Sequence, residues 1–125
     1  MSQEQRTVQE QRGLRFSFDA PVEILLESRN ERTHARVAEL SFRGCYLKTS
    51  TPLKQHQRLR VKITHAGESF EALAQVIYLR ADGVGVLFGN VEPHFRNILQ
   101  GWILSALDDQ AEEEPSNPAG TNVVR

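Results

Sequence analysis

RLRVKITHAGESFEALAQVIYLRADGVGVLF, residues 58–88, decides the fold. Leu59, Val61 and Ile63 alternate with Arg58, Arg60, Lys62 and Thr64, the period of a strand with one face buried and one in water. His65-Ala66-Gly67-Glu68 reads as a hairpin turn. Phe70, Ala72, Ala74, Val76 and Tyr78 then share one parity over a long strand. Asp82-Gly83 is a second hairpin signal, and Val84, Val86 and Phe88 carry the next strand. Three antiparallel strands in a row, each with a single apolar face, must curl around a common core.

The same pattern continues upstream. Val22, Ile24 and Leu26 alternate with Glu23 and Leu25 in a run opened by Pro21, a residue suited to a strand start. Asn30-Glu31 reads as a turn, after which Thr33, Ala35, Val37 and Glu39 alternate with His34, Arg36, Ala38 and Leu40. Ser41 to Gly44 breaks the alternation, Cys45-Tyr46-Leu47 begins another strand, and Pro52 marks a loop. Six strands at short spacing predict a mainly β domain, a six-stranded antiparallel barrel that closes or nearly closes and so hides its edges. Downstream of Pro93 the period changes. Phe95, Ile98, Leu99, Trp102, Ile103 and Ala106 fall on one face of a C-terminal α-helix, with Pro93 in its first turn. That stripe has to be buried, and the barrel is the surface available to it.

The expected organisation is a flexible arm over 1–11, one folded domain over 12–107 and a disordered acidic tail over 108–125. The tail carries Asp108, Asp109, Glu112, Glu113 and Glu114 against Arg125, then Pro115, Pro118 and Gly120. Its charge of −4 within a net −1 leaves +3 on residues 1–107. A modestly positive body suits an anionic ligand, and it falls well short of a general nucleic-acid binder, so DNA is not an expected partner. Cys45, the only cysteine, excludes an intramolecular disulfide and a cysteine-based zinc cluster, and reads as a small buried hydrophobe. No apolar run approaches the roughly 20 residues of a membrane span, so no membrane insertion is expected. Met1 to Gln11 is polar throughout, unlike a signal peptide, and the expected location is the cytoplasm.

Catalytic patterns are missing. His34, His56, His65 and His94 are scattered, without metal-ligand spacing, and no nucleophile elbow or phosphate-cradling loop is present. The expectation is a binding protein, not an enzyme, with no cofactor and no metal.

Two segments carry binding chemistry. In Gln11-Arg12-Gly13-Leu14-Arg15-Phe16, Arg12 and Arg15 flank a glycine just before the first strand. Guanidinium groups grip phosphates bidentately and stack on purine faces. In Glu39-Leu40-Ser41-Phe42-Arg43-Gly44, a carboxylate and a hydroxyl two residues apart suit the hydrogen-bonding edge of guanine, and Gly44 permits a bend or a close backbone approach. The plain alternatives are a charged arm and a strand-joining turn.

In this order and spacing the segments resemble the PilZ domain family, bacterial receptors for cyclic di-GMP, whose signature is R-x-x-x-R followed by [D/N]-x-S-x-x-G. The resemblance covers about residues 10–107, and Val37 to Leu47 matches the second motif and its flanks. It implies a six-stranded antiparallel barrel with a C-terminal helix. It also implies cyclic di-GMP as ligand, Arg12, Arg15, Glu39, Ser41 and Gly44 as its contacts, and an unidentified downstream protein that reads the bound state. Two positions depart from the signature. Aligning Arg15 with the second motif arginine puts Gln11 at the first, leaving Arg12 one residue closer, and Glu39 stands where the family has Asp or Asn. Family members with altered motifs act through protein contacts without the nucleotide, so an adaptor is the alternative expectation.

Overall fold

A computed structural model describes residues 15–116, with side chains through Asp108. Six strands, β1 (Phe16–Leu26), β2 (Glu31–Leu40), β3 (Gly44–Lys48), β4 (Arg58–His65), β5 (Glu68–Arg80) and β6 (Gly83–Phe88), precede one helix, α1 (Pro93–Ser116). The strands close into an antiparallel barrel in the order β1-β2-β3-β6-β5-β4. Closure leaves no long unpaired ladder for another chain to join.

The alternation read in residues 58–88 is the barrel's inward face. Leu59, Val61, Ile63, Phe70 and Val76 are fully buried, with Ala72, Ala74, Val84 and Val86 beside them. The β4–β5 hairpin turns at Ala66-Gly67, both with positive φ (54° and 78°), the backbone that matches the twist of the flanking strands. The next hairpin differs from the sequence reading. Arg80 pairs with Gly83, so Ala81-Asp82 forms the turn and Gly83 already lies in the ladder. There a Cβ would collide with the Leu47 carbonyl oxygen on β3. Gly83 is needed for a close crossing of strands, not for the turn.

β1 begins five residues earlier than Pro21. Phe16 and Ala20 are buried in register with Val22, and a shift in the β1–β2 ladder between Ser17 and Ala20 accommodates the extra length. Pro21 fits inside the strand because β1 meets β4 only over Val22–Leu25, so its missing N–H costs no ladder bond on that side. Arg15 therefore abuts a strand.

A change of parity occurs in β2. Its ladder with β3 shifts between Val37 and Glu39, placing one extra residue in β2. Leu40 turns inward and is buried, and Glu39 turns outward, against the alternation that grouped it with Val37.

α1 packs its stripe on the barrel, burying Leu99, Trp102 and Ile103. Trp102 stacks on Phe18 with ring centroids 5.5 Å apart, and His65 meets its edge. The helix runs on to Ser116, through part of the acidic segment read as a disordered tail. Glu, Gln and Ala are good helix formers, and composition does not separate a solvated helix from a solvated coil. Among the described residues no helix is long and apolar enough to cross a membrane.

Candidate functional site

The outward turn of Glu39 opens a cleft of about 320 Å³ on the barrel wall where β2, β3, β5 and β6 converge. Arg15, Glu39, Ser41 and Gly44 all line it. The structure thus brings together four of the five residues singled out from sequence. Arg12, like Gln11, lies outside the described residues.

Each is positioned by its own local chemistry. Arg15 donates from Nη1 to the Tyr78 hydroxyl at 3.2 Å, and the same nitrogen is 3.8 Å from Glu39 Oε1. The two charged side chains are 51% and 48% exposed, and a pair this open contributes about 0–1 kcal/mol. Arg15 is parked rather than locked.

Ser41 is buried, and its hydroxyl is fully used within the turn. It donates to the Gly44 carbonyl at 3.1 Å and accepts the Arg43 and Gly44 N–H groups, both at 3.2 Å. Its hydroxyl was expected to face a guanine edge; here it shapes the Ser41–Gly44 loop instead. Gly44 supplies close approach. A Cβ there would collide with the Val86 carbonyl oxygen of β6, and the Arg43 carbonyl accepts the Phe88 N–H at 2.8 Å, clamping the loop to that strand.

Sequence reasoning missed the aromatic wall. Tyr78 was grouped with the core by parity, but the β5–β6 ladder shifts between Val76 and Tyr78 and rotates its ring to the outer surface. Gly85 faces it, and a Cβ there would strike the Tyr78 ring, so this glycine seats the ring. Tyr46 stacks alongside at 6.2 Å with 20° between planes. The Arg80 guanidinium lies 5.0 Å from the Tyr78 centroid and 5.7 Å from that of Tyr46. Gly85, between Val84 and Val86, is a mark in the sequence of a strand that a neighbouring ring lies against, but which ring is decided by the register.

Electrostatics hold the wall in place. Burial, joined by its hydrogen bond to Asp82, pushes the Tyr46 phenol up to about 12, and that bond holds the Asp82 carboxyl below its usual value. Burial alone raises the Cys45 thiol to about 12, leaving it inert at the base of the cleft. The site therefore combines a half-exposed guanidinium, a carboxylate, a pre-shaped backbone turn and two aromatic rings. Such a set holds planar, anionic molecules by charge, hydrogen bonding and stacking.

The PilZ domain family profile matches residues 4–105. No curated protein matches the chain. Among solved structures, the chain is similar to the PilZ domain of CeSA from a cellulose-synthesizing bacterium, with 16% identity and a TM-score of 0.63 over 74% of this chain and 97% of that one. It is similar also to the PilZ domain of YcgR from Escherichia coli with c-di-GMP, at 21% identity and a TM-score of 0.64, covering 82% and 95%. The Bacillus subtilis inhibitor of motility MotI/DgrA matches at 13% identity and a TM-score of 0.66, over 77% of this chain and 50% of that one. At these identities the likeness is one of fold, and the six-stranded barrel with a C-terminal helix is common ground.

Proposed function

This chain belongs to the PilZ domain family, and from that premise we propose that its cleft is a receptor site for cyclic di-GMP and that the protein signals without catalysing a reaction. The observation that carries the reading is the convergence of Arg15, Glu39, Ser41 and Gly44 on one cleft from two separate segments of chain. At about 320 Å³ the cleft is at the lower end of the range for small-molecule sites, roughly 300–1,000 Å³, and its rim is open to solvent.

In this reading Arg15 leaves Tyr78 and Glu39 to clasp a phosphate, and Arg12 joins it from the preceding segment. Freed of Arg15, the Glu39 carboxylate accepts the N–H groups of a guanine edge, and its extra methylene relative to aspartate carries it further into the cleft. Ser41 acts by holding the turn, and Gly44 keeps the floor flat. In this reading the ligand-bound surface is recognised by a partner protein in the cytoplasm.

Isothermal titration of the full chain with cyclic di-GMP tests this. Binding heat is expected, and Arg15→Ala is expected to weaken it about ten- to a hundredfold, the loss of one charge-assisted contact. No heat at high micromolar ligand rejects the reading.

The occupied state of Arg15 favours a second reading, an adaptor that recognises a protein and not the nucleotide. Gln11 at the first arginine position and Glu39 at the acidic one point the same way. The double variant Gln11→Arg, Glu39→Asp separates the two. If it binds cyclic di-GMP and the natural chain does not, the natural protein is the adaptor.

A further inference from the structure

One face of α1 is buried on the barrel, and we propose that its outer face pairs with the same face of a second copy of this chain, antiparallel, about a two-fold axis. The pairing is independent of the cleft and of whether a nucleotide binds there. Asn97, Gly101, Leu104 and Asp108 recur at intervals of four, three and four residues and are all exposed, so they form one seam along the helix. The solvent face of a helix is normally charged. Here no charged side chain occurs from Asn97 to Leu107, and Leu104 within that run is 50% exposed. Gly101 is equally out of place. Beyond its own stretch of helix, nothing lies within 4 Å of where a Cβ would stand, and a glycine inside a helix is destabilising. Against a second helix it becomes a notch that receives the partner's Leu104.

The order of charges along α1 selects both the occupant and its direction. The first turn holds Arg96 and no acid, and the last turn holds no base. From Asp108 to Glu114 there are five carboxylates and no cation. Both ends therefore oppose the helix's own dipole, which favours anions at the N-terminus and cations at the C-terminus. Setting the partner's Leu104 over Gly101 in an antiparallel pair brings each acidic stretch to the other helix's N-terminal end, and both mismatches are relieved at once. Arg96 is free to take part. Its guanidinium donates to the Val91 carbonyl at 3.0 Å and makes no ion pair among the described residues. A parallel pair would set acid on acid.

One helix on another is a small interface, below about 1,200 Å², so the pair is expected to form and dissociate with concentration. Sedimentation equilibrium of the full chain over a wide concentration range tests it. The natural chain is expected to move from one copy toward two, and added salt is expected to shift it back. Leu104→Lys and Gly101→Lys are each expected to weaken association at least about tenfold, by placing a charge in the seam. Gly101→Lys should also unfold at an equal or higher temperature, since its side chain meets nothing in the single chain and replaces a helical glycine. That result separates a lost contact from a damaged fold. Arg96→Glu is expected to weaken association at low salt without lowering the unfolding temperature, because an acid suits that end of its own helix. A natural chain that stays single at every concentration overturns the proposal. So does association that persists unchanged in either lysine variant, which would place the contact elsewhere. Association undiminished in Arg96→Glu overturns the antiparallel arrangement.

Discussion

Single residues set the cleft's shape through contacts that admit no substitute. Ser41 accepts two backbone N–H groups and donates to one carbonyl, all inside a buried turn. Ser41→Ala strands those donors, and an expected loss of about 1–3 kcal/mol is measurable by urea unfolding. Gly44→Ala drives a Cβ into a backbone carbonyl that cannot swing aside, and about 1–3 kcal/mol is expected there too. Tyr46 offers a pH signature. Its phenol ionises near 10 in the unfolded chain and near 12 in the folded one. The stabilisation is fully present below pH 10 and is lost as pH rises through 12, because the folded state favours the neutral phenol over that window. An ultraviolet titration of Tyr78→Phe, which leaves Tyr46 as the only tyrosine, should show a single late transition, and Asp82→Asn in that background should move it down. The motif residues were legible because their order and spacing are local properties of the chain. Tyr78 was not legible, because its facing depends on a register shift that only the partner strand reveals.

Strands and turns carry the next layer. The Ala66-Gly67 turn places an alanine at φ 54°, where a Cβ crowds the backbone. Ala66→Asn suits that conformation better and is expected to raise stability by about 1 kcal/mol, seen as a higher midpoint in thermal unfolding with the cleft untouched. The strands themselves were readable from alternation alone wherever a ladder runs without interruption, as in Arg58–His65. Alternation misled at Glu39 and Tyr78 because an extra residue in one strand reverses its parity without any mark in composition. Both interruptions border the cleft. The places where simple periodicity fails are the places where the barrel turns side chains outward to make a site.

At the scale of the molecule, barrel and helix share one core. Phe70 lies at its centre, with Phe88, Phe95 and Trp102 around it, so α1 is part of the folded unit. Ile103→Ala, at a fully buried position on the helix, is expected to cost about 2–5 kcal/mol. Trp102, the only tryptophan, sits at the helix–barrel contact and reports directly on that junction. Its fluorescence and the far-ultraviolet circular dichroism of the strands should therefore change in a single coincident transition in the natural chain and in Ile103→Ala alike. A separate early loss of fluorescence would show the helix detaching first.

Sequence by itself determined the inventory: six alternating strands, an amphipathic helix and two short segments, one bearing arginines and one a carboxylate, a hydroxyl and a glycine. These follow from the period of apolar residues and the order of side-chain types, which each segment carries alone. Tertiary structure decided where that chemistry meets. Closure of the barrel sets β3 and β5 either side of β6, two ladder shifts turn Glu39 and Tyr78 outward, and two tyrosines distant in the chain become one wall. Pairing register is a property of two strands at once, so no single stretch of residues contains it.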